Sequence, residues 1–167
     1  DRVTQDSREI DPSAGSWLFV PLVAERDGHD FVPTAIGAGA VATFAAQSVD
    51  AGDAVVIEVA STDEALNALG AAARDRLGEA AVIGITGSVG KTTTKDLLAA
   101  VLRRDRTTHA NPRSFNNEIG VPLTLLGAPD NSCAVVLEMG ARGVGHIATL
   151  CRTARPTVGI VTTVGKA

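Results

Sequence analysis

Aromatic side chains are nearly missing from this chain: four Phe, one Trp and no Tyr make up 3% of it. The core must therefore be built from Ala, Val, Leu and Ile, which a 45% hydrophobic content supplies. A basic excess is missing too, because 15 Lys and Arg stand against 19 Asp and Glu for a net charge of −4. That balance excludes nucleic acid as an expected partner. The densest basic cluster, Arg103-Arg104 with Arg106, falls at a predicted helix C-terminus, where cations complement the dipole. No apolar run reaches the roughly 18 residues needed to cross a bilayer, so no membrane insertion is expected. The opening Asp1-Arg2-Val3-Thr4-Gln5-Asp6 has no signal-peptide character. The two cysteines, Cys133 and Cys151, have neither metal-like nor redox-like spacing. They read as small buried hydrophobes in a protein of the reducing cytoplasm. His29, His109 and His146 share no metal-ligand spacing. The chain starts without Met and stops at Gly165-Lys166-Ala167, just past a predicted strand. It reads as an excerpt of a longer protein.

What is present alternates between strand and helix patterns. Residues 1–78 are expected to form a small α/β unit. Trp17 to Val20 is its first clear strand, and Asp30 is placed to cap a short helix through about Ala38. Ala40 to Ala45 and Ala54 to Val59 are β-like runs. Ser61-Thr62-Asp63-Glu64 is a capping box, after which Leu66, Leu69, Ala73 and Leu77 share a helical face until Gly78 stops it. Residues 79–167 are expected to form a second unit. There, Ala80 to Thr86 is a strand, and a helix follows with Leu97, Leu98, Val101 and Leu102. A short strand near Thr107-Thr108-His109, a helix with Pro122 near its start, an apolar run from Ser132 to Leu137, a helix from Gly145 to Arg152 and a buried-type strand from Thr157 to Thr163 complete it. Such alternation predicts an α/β fold with parallel sheets.

The stretch Thr86-Gly87-Ser88-Val89-Gly90-Lys91-Thr92-Thr93 carries the chemistry. A strand, a glycine-rich turn and a helix opening on Lys-Thr present backbone N–H groups and partial positive charge to a polyphosphate. Gly87 and Gly90 let the backbone approach it, Lys91 would reach its β- and γ-phosphates, and the Thr92 hydroxyl would help to hold Mg²⁺. The spacing is a variant of G-x-x-x-x-G-K-[ST], because the first glycine of that pattern falls on Ile85. Glu138 closes an apolar strand. It is either a second handle on Mg²⁺ or a carboxylate capping the turn at Met139-Gly140. Asn116 and Asn117 either face the same crevice or form a turn. Spacing alone thus yields a Mg²⁺-nucleotide site and no particular reaction.

Together, Thr86 to Lys95 resemble the P-loop of the Mur ligases, which build the peptide stem of bacterial peptidoglycan and share its shifted glycine. Asn116 to Leu126 and Glu138-Met139-Gly140-Ala141-Arg142 are similar to the branch of that family that acts on D-alanyl-D-alanine. Asp6-Ser7-Arg8 and Asp27-Gly28-His29-Asp30-Phe31 resemble the uridine-nucleotide-binding domain of the same branch and of its sibling, which adds the third stem amino acid. The resemblance implies a monomeric, cytoplasmic, ATP-dependent ligase taking UDP-N-acetylmuramoyl-tripeptide and D-alanyl-D-alanine, with an acyl phosphate between them. It implies that residues 87–93 hold ATP, that Lys91 and Glu138 are catalytic, and that Thr92 and Glu138 hold Mg²⁺. It further implies that Ser7, Arg8, Asn116 and Asn117 contact substrate. The family's further metal-binding histidine, carbamoylated lysine, adenine pocket and third domain would lie past Ala167, so this stretch alone is expected to be inactive. The alternatives are the sibling ligase, a nucleotide-binding module without catalysis, and a P-loop kinase or GTPase, which would leave the N-terminal unit without a task.

Overall fold

A computed structural model describes residues 2–112 and 114–165. The chain divides into two compact α/β units, one ending at Leu66 and the next beginning at Asn67. Among the described residues no helix is long and apolar enough to cross a membrane.

The first unit carries strands β1 (Arg2–Thr4), β2 (Trp17–Phe19), β3 (Ala42–Ala45) and β4 (Val55–Glu58) and helix α1 (Val32–Gly37). The strands pair in the order β1-β2-β3-β4, all parallel. The scarce aromatics are spent here: Trp17 and Phe19 pack with Ile10, Val32, Ala35 and Ala40. The Trp17 indole N–H donates to Asp11 O at 2.7 Å, so its one polar atom does not oppose burial. The expected cap of the short helix is corrected. Asp27, not Asp30, accepts a backbone N–H, that of His29 at 2.9 Å, and opens a 3₁₀ turn that runs into α1.

Helix α2 (Thr62–Arg76) opens as its capping box predicts, with Ser61 Oγ accepting the Glu64 N–H at 3.3 Å. The sequence reading divides the chain after Gly78, whereas the compact units divide within this helix. The reason is packing: Ala73, Leu77 and Ala80 are buried with Val82, Val121, Leu125 and Leu150 of the second unit.

That unit holds β5 (Ala81–Thr86), α3 (Lys91–Leu102), β6 (Thr108–Ala110), α4 (Gly120–Leu126), β7 (Ala134–Glu138), α5 (His146–Ala154) and β8 (Val158–Val161). Its strands run parallel in the order β6-β7-β5-β8. Side-chain alternation divides its core into two layers. Ala81, Ile83, Ile85, Ala134 and Val136 face Leu98, Ala99 and Leu102 of α3. Val82, Val135 and Leu137 face the opposite layer, with Val121 and Leu125 of α4 and Leu150 and Ala154 of α5. Burying each fully enclosed Val, Leu or Ile among these stabilises the unit by about 1.5–3 kcal/mol, and each Ala by less. Leu97 and Val101 of α3 point outward, at 64% and 63% exposure. Two other expectations are corrected. Strand β8 is an edge strand among the described residues, with Val158 and Val161 exposed rather than buried. Cys133 is exposed and Cys151 half-buried, both as free thiols, because Cys133 precedes β7 in a turn instead of pointing into the core.

Helices α2, α4 and α5 meet at Gly70. A Cβ there would overlap Pro122 Cβ and stand 2.7 Å from Pro122 Cα and 3.4 Å from Thr153 Cγ2. Gly70→Ala would gain about 1 kcal/mol of helix propensity but would force backbone apart at a cost of about 1–3 kcal/mol. Net destabilisation is expected, read as a lower urea midpoint at unchanged slope. Gly37→Ala, at the end of α1 with nothing within 4 Å of the added carbon, is expected to be neutral or slightly stabilising. A Gly70→Ala protein as stable as the parent would show that the three helices do not meet this closely.

Candidate nucleotide-phosphate site

In a parallel sheet the strand ends carrying loops to the following helices form the ligand face. Strand β5 ends there in the loop 87–90, and α3 begins at Lys91. Gly87 and Gly90 have φ of +134° and +86°, values that only glycine adopts readily. The two differ in what they face. A Cβ on Gly90 would meet nothing within 4 Å, whereas one on Gly87 would overlap Thr162 Oγ1. Gly90 thus leaves the approach to the loop open, and Gly87 is required by Thr162 and Thr163 behind it, just past β8.

The first N–H to bond back along α3 is that of Thr94, to Gly90 O at 2.9 Å. The N–H groups of Lys91, Thr92 and Thr93 precede this ladder and supply the partial positive charge of the helix start. Lys91 Nζ donates to Gly87 O at 2.7 Å, folding the lysine over the loop. Ser88, Val89, Thr92 and Thr93 are exposed.

Glu138 ends β7, the neighbour of β5, with Ile85 and Glu138 in register. It lies on the same face as Ala134 and Val136, which is the α3 face. The carboxylate is 2% exposed. Oε2 accepts the Thr92 hydroxyl at 2.7 Å and Oε1 accepts the Asn116 amide at 2.8 Å. Thr92, Asn116 and Glu138 are thus brought together. Asn117 turns elsewhere: its Oδ1 accepts the N–H groups of Ile119 and Gly120 at 3.2 and 2.9 Å, closing the turn into α4. Gly140 meets Asn116 as well, because a Cβ there would stand 2.9 Å from Asn116 Cγ.

Two residues of this network escaped the sequence reading. Asn111 Oδ1 accepts the Glu138 N–H at 2.9 Å, and its Nδ2 donates to Phe115 O at 2.7 Å, tying the loop after β6 to the end of β7. Lys95 is 2% exposed and donates to Asn111 O at 2.9 Å, with Asp96 Oδ1 3.1 Å away. A signal existed for Lys95, since it shares a helical face with Leu98, Ala99 and Leu102 and so is a cation on the buried stripe.

In the first unit, Ser7 and Arg8 form a 3₁₀ turn capped by Asp6. The exposed Arg8 guanidinium donates to Asp6 from Nε at 2.8 Å and from Nη2 at 2.6 Å, and these bonds hold the Asp6 carboxyl below its usual range. His29 is buried; its Nε2 accepts the Ala46 N–H at 3.1 Å, so its Nδ1 proton faces Asp27 at 2.6 Å. Asp27 also accepts from Gln47 at 3.0 Å, and its carboxyl is held low, chiefly by the His29 backbone N–H. A cavity of about 470 Å³ opens at the ends of β3 and β4 between Ala46, Gln47, Val56 and Glu58, with neither Ser7 nor Arg8 in its lining. Among the described residues no three His, Cys, Asp or Glu cluster as metal ligands.

A parallel sheet with a glycine-rich loop, a Lys-Thr helix start and a carboxylate on the adjoining strand defines the P-loop class of α/β domain. Residues 85–167 match the Mur ligase middle domain, and the chain belongs to the Mur ligase family. It is 46% identical over 154 residues to the UDP-N-acetylmuramoyl-tripeptide–D-alanyl-D-alanine ligase of Synechocystis sp., covering 90% of this chain and 34% of that protein. The structure is similar to that of MurF from Acinetobacter baumannii, with a TM-score of 0.90 and 32% identity over 99% of this chain and 36% of the other. It is also similar to MurF ligase from Thermotoga maritima in complex with ADP, with a TM-score of 0.83 and 36% identity over 99% of this chain and 38% of the other. The chain therefore spans about a third of the length of the relatives it matches.

The Glu138 network predicts opposite outcomes for two substitutions. In Glu138→Gln, the remaining oxygen keeps the Asn116 bond while the Thr92 hydroxyl rotates to accept from the new amide, so the thermal midpoint should hardly move. Glu138→Ala leaves the half-buried Asn116 amide without this partner and empties the space of a 2% exposed side chain, and should cost about 1–3 kcal/mol. Equal losses in calorimetric melting would mean that the negative charge itself holds the loops together.

Proposed function

We propose that this chain forms the uridine-nucleotide-binding unit and part of the ATP-binding unit of an ATP-dependent ligase. The ligase adds D-alanyl-D-alanine to UDP-N-acetylmuramoyl-tripeptide in peptidoglycan precursor synthesis. The observation that carries this reading is the approach of Thr92, one residue after the loop lysine, to the buried Glu138 carboxylate at 2.7 Å. The similarity to ligases of that substrate pair and to a neighbour in complex with ADP supports it.

In the proposed reaction a carboxylate oxygen of the tripeptide attacks the γ-phosphorus of ATP and ADP leaves. The amino group of D-alanyl-D-alanine then attacks the acyl phosphate carbon. The tetrahedral intermediate expels phosphate, and loss of one proton from nitrogen leaves the amide. Lys91 would exchange the Gly87 carbonyl for phosphate oxygens, and the N–H groups at the start of α3 would bind the same charge. Thr92 and Glu138 are hard oxygen donors from adjacent elements, the donor chemistry that Mg²⁺ takes when phosphates and water complete its shell. They would hold that ion, whose charge lowers the repulsion between the phosphates and the incoming carboxylate. Asn116 would keep Glu138 aimed at it. Ser7 and Arg8 would meet the uridine-nucleotide end of the substrate in the first unit.

Calorimetric titration with Mg²⁺-ADP tests the phosphate assignment. Lys91→Ala removes a charged hydrogen bond to phosphate and should weaken binding about tenfold or more, in line with a loss of about 1.5–3 kcal/mol, with melting unchanged. Unaltered affinity would remove Lys91 from the grip. A parallel titration with UDP-N-acetylmuramoyl-tripeptide should saturate, and more weakly for Arg8→Ala. Binding of Mg²⁺-ADP without any binding of the tripeptide would leave a nucleotide-binding module and refute the ligase assignment.

A further inference from the structure

The back of the loop is held by residues that the proposed function leaves unused. Just past β8, the Thr162 N–H donates to Thr86 O at 2.9 Å. The Thr162 hydroxyl donates to Val89 O at 2.7 Å and stands 3.2 Å from Thr86 O. Since Thr86 O already accepts the Thr162 N–H, the shorter contact to Val89 O takes the hydroxyl proton. The Ser88 N–H donates to Thr163 O at 2.6 Å, and the Gly165 N–H donates to Ser88 Oγ at 3.0 Å.

These contacts determine which way each loop peptide faces. A trans peptide is planar, with its C=O and N–H on opposite sides. The Gly87 carbonyl is turned to Lys91 Nζ, and the Ser88 N–H of the same peptide accordingly points back to Thr163. In the Val89–Gly90 peptide the order is reversed. Its carbonyl is fastened behind the loop by Thr162, so the Gly90 N–H must point forward, beside the N–H groups that open α3. Without that hydroxyl the exposed Val89–Gly90 peptide, with a glycine at φ +86°, is free to rotate and withdraw its donor. Gly87 belongs to the same arrangement, because its missing Cβ is the space that Thr162 Oγ1 occupies.

We propose that Thr162 is a positioning residue of the phosphate grip, whose hydroxyl holds the Val89 carbonyl and so aims the Gly90 N–H at the bound polyphosphate. The inference rests on the reading of this loop as a phosphate site. Its test compares Thr162→Val, which keeps the shape and removes the hydroxyl, with Thr162→Ser, which keeps the hydroxyl and removes a methyl. Mg²⁺-ADP binding is measured by calorimetry and folding by thermal melting on the same samples. Thr162→Val should bind about tenfold more weakly, Thr162→Ser should stay within about twofold of the parent, and both should melt close to it. Parent-like binding by Thr162→Val overturns the inference while leaving the phosphate site standing. Equal weakening in both variants overturns it as well, because the methyl and not the hydroxyl would then matter. No binding by the unsubstituted chain overturns the phosphate reading and this inference together.

Discussion

The loops at the ligand edge of the second unit's sheet are organised by the need to bury one carboxylate. Glu138 is 2% exposed, and taking an ionised group out of water costs several kcal/mol unless hydrogen bonds replace the lost solvent. Its oxygens take theirs from Thr92 in the first turn of α3 and from Asn116 in the loop after β6, while its own N–H is taken by Asn111. Segments far apart in sequence are thereby fastened to one another at one strand end. The helix start, the Asn111–Asn116 loop and the end of β7 cannot move independently without stranding a buried polar group. For the proposed phosphate grip that rigidity is an advantage, because donors already in place need no reorganisation.

The sequence made the loop and its partner strand legible for a physical reason. A β-branched run, two glycines and Lys-Thr at a helix start are local signals, each readable within a few residues of the next. Glu138 could be placed beside them because a parallel sheet puts all strand ends that precede helices on one edge. The Asn116–Asn117 pair illustrates the limit: both residues are turn formers, and only the fold tells that Asn116 reaches Glu138 while Asn117 closes the turn into α4. Asn111 and Thr162 were invisible because their partners lie 27 and 73 residues away. Nothing in their own neighbourhood marks them. The misplaced cap has a smaller cause, since Asp27 and Asp30 are equally good N-caps by type and the 3₁₀ turn at Gly28–Phe31 decided between them.

Strand order explains why this loop is held from both sides. Strand β5 lies between β7 and β8, so whatever follows β5 passes between the ends of two neighbours. From β7 comes Glu138, facing the helix start; from the end of β8 comes Thr162, facing the loop's back. The magnitudes separate the two kinds of work. The Thr162 hydrogen bonds contribute about 1 kcal/mol net each and the one to the Glu138 carboxylate about 1.5–3 kcal/mol. They are few against the many Val, Leu and Ile side chains of the two layers, each worth about 1.5–3 kcal/mol when fully buried. The apolar layers therefore decide that the sheet forms, in this order and register. The polar contacts at its edge are too weak to dictate the fold, but they are directional, and direction is what a loop made of two glycines lacks. Apolar burial brings the three strand ends together, and the hydrogen bonds then set the orientation of the peptides that connect β5 to α3.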